Sequence, residues 1–376
     1  LAQHCDVAVL AIRSESGKNI SDYHKDRGIH EIIVHTNTKK QLIKFSLFGD
    51  IRKSIKYFLS FQSGYKIVQD RFGEPDLIAL NIIYPVGLIF LFYNIFKKKP
   101  YIIFEHHTEY LESSGIFKNR NYIIKFLMRY LGAHAKKIIV VSTSLKNSMI
   151  NNGFINAYTV VPNIVEIANS ENLISEMIEN RALSFKNNKN KIIFHVSSLK
   201  NEQKNITGLL DGIWELASKR NDFIFIVAGS GSDQKKVESY AAELNLLNKY
   251  VFFLGFINNA TLRYLYENCS FFVLNSNYET FSVVTAEALL YGKPVIITRC
   301  GGPEEFVTEE CGIAIEPQNK NQLITALSFM LDGYNNYDSQ KIQKYATNIF
   351  DSEKIGAKIY EICLMEKNNL RQSGRF

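Results

Sequence analysis

The sequence lacks the cysteine pattern of a disulfide-stabilised or zinc-binding protein. Only five cysteines occur among 376 residues, and no two of them form a CxxC pair. Such spacing favours free thiols in a reducing compartment over a disulfide framework or a structural zinc site. We therefore expect a cytoplasmic protein whose cysteines are free.

A convincing membrane span is also missing. The apolar run at residues 82–96 covers only 15 positions and contains Pro85 and Gly87. A spanning helix needs about 20 predominantly apolar residues, so this run is too short and too interrupted to cross a bilayer. It predicts a buried helix instead.

Two motifs that bind metals and dinucleotides are absent as well. No Asp-x-Asp occurs, and its nearest equivalent is Glu74-Pro75-Asp76, so we expect no divalent-metal clamp and no cofactor. The segment FIFIVAGSGSD at 223–233 lacks the third glycine of GxGxxG, and the next strand-like run ends without an acidic residue. A dinucleotide fingerprint is therefore weakly supported.

The composition is that of a globular protein with an uneven charge. Hydrophobic residues make up 46% and charged residues 22%, and the length allows two domains with separate cores. Residues 1–170 hold 22 Lys and Arg against 13 Asp and Glu, a net charge of +9, and the whole-chain value of +7 leaves −2 for residues 171–376. The basic half could face an anionic membrane or a lipid-phosphate acceptor, or form an ordinary solvated surface. No nucleic-acid partner is expected.

Strand-like and helix-like runs alternate along the chain. Apolar runs at 6–12, 29–36, 75–80 and 101–105 predict strands, and stretches at 50–65 and 85–96 predict helices. A second series starts with KIIFHVSSL at 191–199, after a polar stretch. The alternation predicts an α/β fold of two doubly wound, Rossmann-like domains. We place an amino-terminal domain at 1–166, a linker at 167–190, a carboxy-terminal domain at 191–350 and a final helix at 351–376.

The stretch NSNYETFSVVTAEALLYGKP, residues 275–294, predicts a compact strand–turn–helix–strand unit. The run FFVLN at 271–275 suits a buried parallel strand, and residues 282–291 can form a short helix. Gly292 stands where a helix C-cap glycine would, and the Lys-Pro pair after it prevents the helix from continuing.

Two glutamates flank the centre of this unit. Glu279 falls in the loop at the carboxyl end of a strand, where open α/β sheets bind their ligands. The backbone N–H groups at 281–283 open the helix and could face a diphosphate, while Glu287 on the second turn could accept hydrogen bonds from a ribose diol. The alternative is that both glutamates are solvated surface residues, because an isolated Glu-x7-Glu pair is common by chance.

In their order, these segments resemble a retaining glycosyltransferase of family 4, which has the two-domain GT-B fold. That family carries E-x7-E followed by Ala, then a GxPV strand and a Gly-Gly-x-x-Glu loop. The matching segments are ETFSVVTAEA at 279–288, GKPV at 292–295 and GGPEE at 301–305. The resemblance implies that Glu279 contacts the hydroxyls of a donor sugar and that Glu287 contacts the ribose.

The resemblance also implies donor contacts from backbone and loop residues around this motif. The amides of Phe281 and Ser282 would bind the diphosphate, with Thr280 and Glu304 as further donor-binding residues. The GSG turn at Gly229 would let the backbone pass near the nucleotide. Gly255 and Phe256 match a segment whose backbone meets the base, although core packing is a strong alternative for Phe256.

Three further positions match the family with one departure. The strand at 101–105 ends at His106-His107, and we favour His106 over His107 as the imidazole that contacts the donor near the reacting centre. The family's Gly-Arg-Leu is replaced by Ser-Ser-Leu at 197–199, so the Arg that grips the diphosphate is absent. Lys204 keeps the position of the phosphate-binding Lys, and Ser198 could offer one hydroxyl.

The resemblance carries expectations about the two ends of the chain. In the family a first strand and a Gly-rich loop precede a strand like 6–12, so we expect that one βα unit of ~30–40 residues is missing at the amino end. Chains of the family typically end with helices that cross back onto the first domain, as we expect of residues 351–376.

We therefore expect a metal-independent, retaining transfer of a sugar from a nucleotide-diphosphate sugar to a glycan or lipid-linked acceptor, in a cleft between two domains. Glu279, His106 and Lys204 are the expected catalytic residues. A nucleotide-sugar epimerase or a phosphorylase on the same fold, and a non-catalytic nucleotide-sugar-binding protein, remain the alternatives. The protein would be cytoplasmic, with peripheral contact to the inner face of the cell membrane as one possibility.

Overall fold

The amino-terminal half of the chain is built around parallel strands. The computed structural model describes residues 5–14, 21–26, 29–36, 51–167 and 191–372. The strands of this half are β1 (Val7–Ser14), β2 (Ser21–Asp26), β3 (Ile29–Thr36), β4 (Ile78–Asn81), β5 (Tyr101–Glu105), β6 (Ile138–Val140) and β7 (Tyr158–Val160). Its helices are α1 (Ile51–Phe72), α2 (Leu88–Lys97), α3 (Tyr122–His134) and α4 (Thr143–Asn151).

The strands of this half form two hydrogen-bonded groups, where the sequence predicts one doubly wound sheet. Strands β4, β5, β6 and β7 pair in that order and are all parallel. Strand β1 pairs in parallel with β3, and β2 joins β3 in antiparallel orientation. The sequence does not predict β2, because its residues, SDYHKD, include no apolar run.

The carboxy-terminal half contains one fully parallel sheet. Its strands are β8 (Lys191–Val196), β9 (Phe223–Ala228), β10 (Val251–Gly255), β11 (Phe271–Leu274), β12 (Val295–Thr298) and β13 (Gly312–Ile315). They pair in the order β10-β9-β8-β11-β12-β13, which is the doubly wound order in which the chain reverses direction between β8 and β11. Strands β9, β11 and β12 are buried along their whole length, as expected when helices cover both faces of a sheet.

Helices cover both faces of this sheet. They are α5 (Asn201–Lys204), α6 (Ile206–Ala217), α7 (Gln234–Glu243), α8 (Asn259–Asn268), α9 (Val283–Leu290), α10 (Lys320–Gly333) and α11 (Ser339–Phe350). On one face α8, α9 and α11 pack into a core that contains Phe281, Phe306 and Phe350. On the other face α6, α7 and α10 form the second core. The predicted helix at 282–291 is thus present as α9.

The apolar run at 82–96 forms the predicted helix, but only one face of it is buried. Its helix, α2, buries Phe90 against Phe61 of α1 and Tyr101 of β5, but Phe92, Ile95 and Phe96 are exposed, Phe96 by 85%. Helix formation only requires one apolar face to be covered, so the remaining apolar side chains can stay at the surface. None of the helices in the described ranges has the length and apolarity needed to span a bilayer.

The last helix, α12 (Ser352–Gln372), lies against the amino-terminal half. Ile355 and Ile362 of α12 pack with Ile102 of β5 and Ile139 of β6 in one small core. Lys358 donates to the carbonyl of Val160 at 3.0 Å. The chain therefore passes from the carboxy-terminal core to the amino-terminal one between α11 and α12. Nearly all of the predicted linker, 167–190, lies outside the described residues.

Candidate active site

The carboxyl ends of β8 and β11 lie side by side where the strand order reverses. Such a switch point leaves a crevice in which open α/β sheets bind ligands. His195 of β8 is fully buried, and burial lowers the pKa of its imidazole to about 4. The neutral ring donates from Nδ1 to the Val273 carbonyl at 2.9 Å, so Nε2 accepts the Ser197 hydroxyl at 2.8 Å. The bond to Val273 joins β8 to β11 at this point.

Lys204 and Glu279 meet at this point. Lys204 ends α5, and its ammonium group pairs with Oε1 of Glu279, which follows β11 in the chain. The two side chains are only 11% and 7% exposed. The Ser276 hydroxyl donates to the same Oε1 at 2.7 Å, whereas Oε2 accepts no hydrogen bond from any described residue. The pair thus presents a carboxylate oxygen and an ammonium group together.

A pair of glycines allows the loop after β12 to pack against the Glu279 loop. The Glu279 N–H donates to the Cys300 carbonyl at 3.0 Å, and the Glu279 carbonyl accepts from the Gly302 N–H at 3.0 Å. A Cβ on Gly301 would lie 2.5 Å from the Glu279 carbonyl oxygen, and one on Gly302 would lie 2.1 Å from that of Thr280. Only glycine allows the two loops to approach this closely, and their packing fixes the position of the Glu279 backbone in the crevice.

The turn into α9 presents unused backbone donors. The N–H groups of Phe281, Ser282 and Val283 donate to no described residue. Ser282 holds them in place with φ of 71°, a left-handed conformation that is uncommon outside glycine, and its hydroxyl bonds Thr285 Oγ1 at 2.8 Å. Free amides at a helix start, with the positive end of the helix dipole, suit an anion such as a diphosphate.

The side chain of Phe281 does not line the crevice. It is 3% exposed and packs against Phe306 and Phe350, with ring centroids 5.2 and 5.7 Å away. Its backbone N–H group, in contrast, donates to no described residue and is free to bind a ligand.

Glu287 lies on the second turn of α9, half buried beside α8. The hydroxyl of Tyr266 donates to Glu287 Oε2 at 3.0 Å, and Oε1 accepts no hydrogen bond from the described residues. Burial raises the pKa of Glu287. One oxygen is thus held by the protein, and the other is available to a hydroxyl ligand.

The loops after β8, β9 and β10 carry the remaining predicted contacts. Ser198 is exposed, and its hydroxyl bonds no described residue. A Cβ on Gly229 would lie 1.9 Å from the Ser197 carbonyl oxygen, so this glycine is explained by loop packing. Gly255 has φ of 66° and no atom within 4 Å of its Cβ position. Phe256 is 84% exposed, so the alternative that it packs in the core is wrong.

His106 and its neighbour form the facing edge of the amino-terminal half. Both imidazoles are exposed, and partial desolvation together with His107 lowers the pKa of His106. Glu105, the last residue of β5, is 1% exposed and holds this loop. Its Oε1 accepts the N–H groups of His106 at 3.0 Å and of His107 at 2.9 Å. No role was predicted for Glu105 from the sequence, in which it is only the acid that ends an apolar strand; its burial is compensated by these hydrogen bonds.

Two contacts join the halves beside the crevice. The Thr280 hydroxyl donates to the His106 carbonyl at 2.9 Å. Glu305 accepts the N–H groups of Thr143 at 2.8 Å and of Ser144 at 2.7 Å, and so caps the start of α4. Glu304, the predicted donor contact, accepts the N–H of Gly301 at 3.0 Å. Glu305 is the last residue of the Gly-Gly-x-x-Glu match, but no role was predicted for it.

An open cleft of about 650 Å³ adjoins these contacts. It is lined by polar residues of α4 and by the Gly-Gly loop, among them Ser144, Asn147, Ser148, Glu304 and Glu305. Hydroxyl, amide and carboxylate groups of this kind suit a polyhydroxylated ligand. Within the described ranges, no three His, Cys, Asp or Glu side chains cluster closely enough to hold a metal ion.

Two Rossmann-like halves with a crevice at the carboxyl ends of their strands define a protein of the GT-B class. The glycosyltransferase family 4 domain matches residues 17–169, and the glycosyl transferases group 1 domain matches residues 176–348. Together these two matches take in most of the chain. The chain therefore belongs to the glycosyltransferases of the GT-B fold.

Individual proteins are similar to this chain over most of its length. A glycosyltransferase of Methanocaldococcus jannaschii, MJ1607, is 28% identical over 71% of this chain and 70% of its own. An N-acetylgalactosaminyltransferase of Campylobacter jejuni, named for a diphospho-undecaprenol-linked acceptor, is 26% identical over 59% of this chain and 67% of its own.

Two solved structures share the fold. Sucrose-phosphate synthase from Thermosynechococcus elongatus superposes with a TM-score of 0.74 at 16% identity, covering 96% of this chain and 88% of that one. Anabaena HepE, crystallised with UDP and glucose, has a TM-score of 0.68 at 22% identity, covering 89% of this chain and 86% of that one.

Proposed function

We propose that this glycosyltransferase moves a hexosyl group, with retention of configuration, from a nucleotide-diphosphate sugar to a glycan or lipid-linked acceptor. The observation that carries the proposal is the Lys204–Glu279 pair beside the unused amides of 281–283 at the switch point. A carboxylate for sugar hydroxyls lies there next to a cation and backbone donors for a diphosphate.

Each group has a role in this proposal. Glu279 accepts hydrogen bonds from the donor sugar, and Glu287 accepts them from the ribose. Lys204 and the amides at 281–283 stabilise the charge that develops on the leaving diphosphate, so that no metal ion is required. In this proposal the ring of Phe256, which is exposed, stacks on the base.

Two residues of this site have further proposed roles. The His106 imidazole donates to the sugar or to the phosphate. Ser198 offers its hydroxyl where other family members carry Arg.

Retention without a protein nucleophile follows a front-face route in this proposal. The bond from the anomeric carbon to the diphosphate oxygen breaks, and the acceptor oxygen bonds that carbon on the same face. The acceptor proton passes to the departing diphosphate oxygen, so the diphosphate acts as the base. Closure of the two halves around the donor excludes water from this step.

The comparisons support the nature of both substrates. HepE, which shares the fold, binds UDP and glucose, and UDP-sugars are therefore the first donors to test. The Campylobacter jejuni relative is named for a lipid-linked diphosphate acceptor, which is in keeping with a lipid-linked acceptor here.

A donor panel incubated with and without acceptors tests the proposal. We expect transfer to an acceptor in the presence of EDTA, with an anomeric proton coupling in the product that matches the donor. Glu279→Gln should abolish transfer, whereas Glu243→Gln, at the end of α7 and the opposite edge of the sheet, should not. Isomerised donor would indicate an epimerase, phosphate-dependent cleavage a phosphorylase, and binding without turnover a nucleotide-sugar-binding protein.

We also propose that the amino-terminal half contacts an anionic membrane peripherally through α2 and α3. Neither helix contains an Asp or Glu, and both expose large apolar side chains: Phe92, Ile95, Phe96, Tyr122, Ile123, Phe126 and Tyr130. Lys97, Lys98 and Lys99 lie at the end of α2. Exposed aromatic residues beside lysines suit the interface of a negatively charged bilayer.

Vesicle flotation tests the membrane proposal. The protein should float with phosphatidylglycerol-rich vesicles and not with phosphatidylcholine vesicles. Phe96→Ser combined with Phe126→Ser should abolish flotation. Phe329→Ser, which removes a 60% exposed ring from α10 on the other half, is the control and should float like the wild type. Equal flotation of all variants, or none of the wild type, contradicts the proposal.

A further inference from the structure

The His106 peptide is held from both sides. On its amino side, the N–H donates to Glu105 Oε1. On its carboxyl side, the carbonyl accepts the hydroxyl of Thr280, which belongs to the other half and directly follows Glu279. A chain of hydrogen bonds therefore runs from the core of the amino-terminal half to the loop of the proposed sugar-binding carboxylate.

Glu105 is the fixed end of this series of hydrogen bonds. Besides the N–H groups of His106 and His107, it accepts the N–H of Ile83 at 2.9 Å and the Tyr110 hydroxyl at 3.1 Å on Oε2. It thereby joins the loop after β4, the loop after β5 and the turn that follows. A carboxylate accepts all four bonds, whereas an amide at this position presents an NH2 group to two of the donors.

The other end of this series of hydrogen bonds, at Thr280, is equally well fixed. Thr280 is 7% exposed, and its own carbonyl lies against Gly302 of the Gly-Gly loop. That loop carries Glu305, which caps α4 of the amino-terminal half. Thr280 cannot shift without moving Glu279 beside it, because the backbone of both is packed against this loop.

We propose that Glu105 is a positioning residue, which holds the His106 carbonyl so that Thr280 can bond it and thereby aligns Glu279 with the amino-terminal half. This rests on the proposed function, since its consequence is measured on sugar transfer. Glu105 lies beneath the loop and touches neither substrate. Its effect on the reaction passes through one hydrogen bond, and that bond can be removed independently.

Glu105 has few charged neighbours that could substitute for it. Glu109, in the following turn, is buried and ion-paired with Arg120. His106 and His107 face outward, and Tyr110 already donates to the carboxylate. The described residues thus offer no second carboxylate to hold the loop if Glu105 is replaced.

A double-mutant cycle tests the inference. Glu105→Gln and Thr280→Val should each lower kcat roughly ten-fold, the factor for about one hydrogen bond, while leaving the KM of the donor within about two-fold. The double variant should be no slower than the slower single variant, because both remove the same link. Thr280→Ser should restore kcat, and Glu112→Gln, an exposed acid of the same region, is the control.

The outcomes separate this inference from the proposed function. An inactive wild type would overturn the proposed function. An active wild type with multiplying effects in the double variant would overturn the positioning role. Amide hydrogen exchange at His106 and His107 gives a readout that does not need activity, and it should accelerate in Glu105→Gln but not in Glu112→Gln. Unchanged exchange would likewise overturn the inference.

Discussion

The Lys204–Glu279 pair should be costly to break. Replacing Lys204 by Met removes the cation and leaves an ionised carboxylate that is only 7% exposed and retains one protein donor at 2.7 Å, the Ser276 hydroxyl. Removing one partner of a buried ion pair typically costs about 3–5 kcal/mol, against about 0–1 kcal/mol for a surface pair. The structure therefore predicts the larger value for Lys204→Met.

The single tryptophan makes this loss measurable in the relevant half. Trp214 lies on α6 of the carboxy-terminal half, so its fluorescence reports on the folding of that half. With a urea m value of about 2 kcal/mol/M, a loss of 3–5 kcal/mol lowers the midpoint by about 1.5–2.5 M. Lys249→Met, at the opposite edge of the sheet before β10, is the matched control and should shift the midpoint little.

The double variant decides whether the pair itself is responsible. Lys204→Met combined with Glu279→Gln leaves no unpaired charge, so it should be more stable than Lys204→Met alone by about 1–3 kcal/mol. If Lys204→Met shifts the midpoint no more than Lys249→Met, or if the two effects simply add, the pair is a solvated surface contact and our reasoning about the crevice is wrong.

Three further predictions concern the supports of the site. Burial raises the pKa of Glu105 from its ordinary value of 4.5 to about 7, so the folded state holds the proton more tightly. This stabilisation is complete below pH 4.5 and is lost as the pH rises through 7. Relative to Glu105→Gln, the wild type should lose up to about 3 kcal/mol over that range in urea unfolding, and a constant difference would contradict this. Gly301→Ala puts a methyl group 2.5 Å from the Glu279 carbonyl and should lower transfer at least about ten-fold. Gly73→Ala, at φ of 78° in open space, should leave transfer unchanged. Phe350→Ala should cost about 3–5 kcal/mol by Trp214 fluorescence, while a loss below about 1 kcal/mol, as for exposed Phe329→Ala, would contradict the packing.

The local parts of the fold and site could be predicted from the sequence. The strand at β11, the helix α9 and the glycine at 292 follow from apolar runs and helix-end signals within about 20 residues. The start of a final helix at 351 is likewise predicted from the sequence, and in the structure α12 begins at Ser352. Local backbone preference determines all of these elements.

Contacts between distant segments could not be predicted in this way. Lys204 and Glu279 are 75 residues apart, and Thr280 and the His106 carbonyl are separated by 174 residues. Their meeting depends on how two sheets pack, about which periodicity carries no information. The resemblance predicted that Lys204 and Glu279 belong to one site, whereas nothing in the sequence predicted the contact between Thr280 and His106.

Exposure was harder to predict than secondary structure. Phe256 and Phe96 are apolar residues in apolar runs, yet they are 84% and 85% exposed. Hydrophobicity predicts burial on average, but a large side chain at the end of a strand or helix is covered only if another element reaches it.

The position of α12 determines what kind of motion the two halves can make. Because the backbone passes between them at two places, once in the segment before β8 and once at Asp351, neither half can tumble freely about a single tether. Any relative motion of the two halves must therefore keep both of these connections intact. Trimming the chain after α11 would remove the second connection together with the packing of Ile355 and Ile362 on Ile102 and Ile139, and would leave the two halves joined by the chain at a single place.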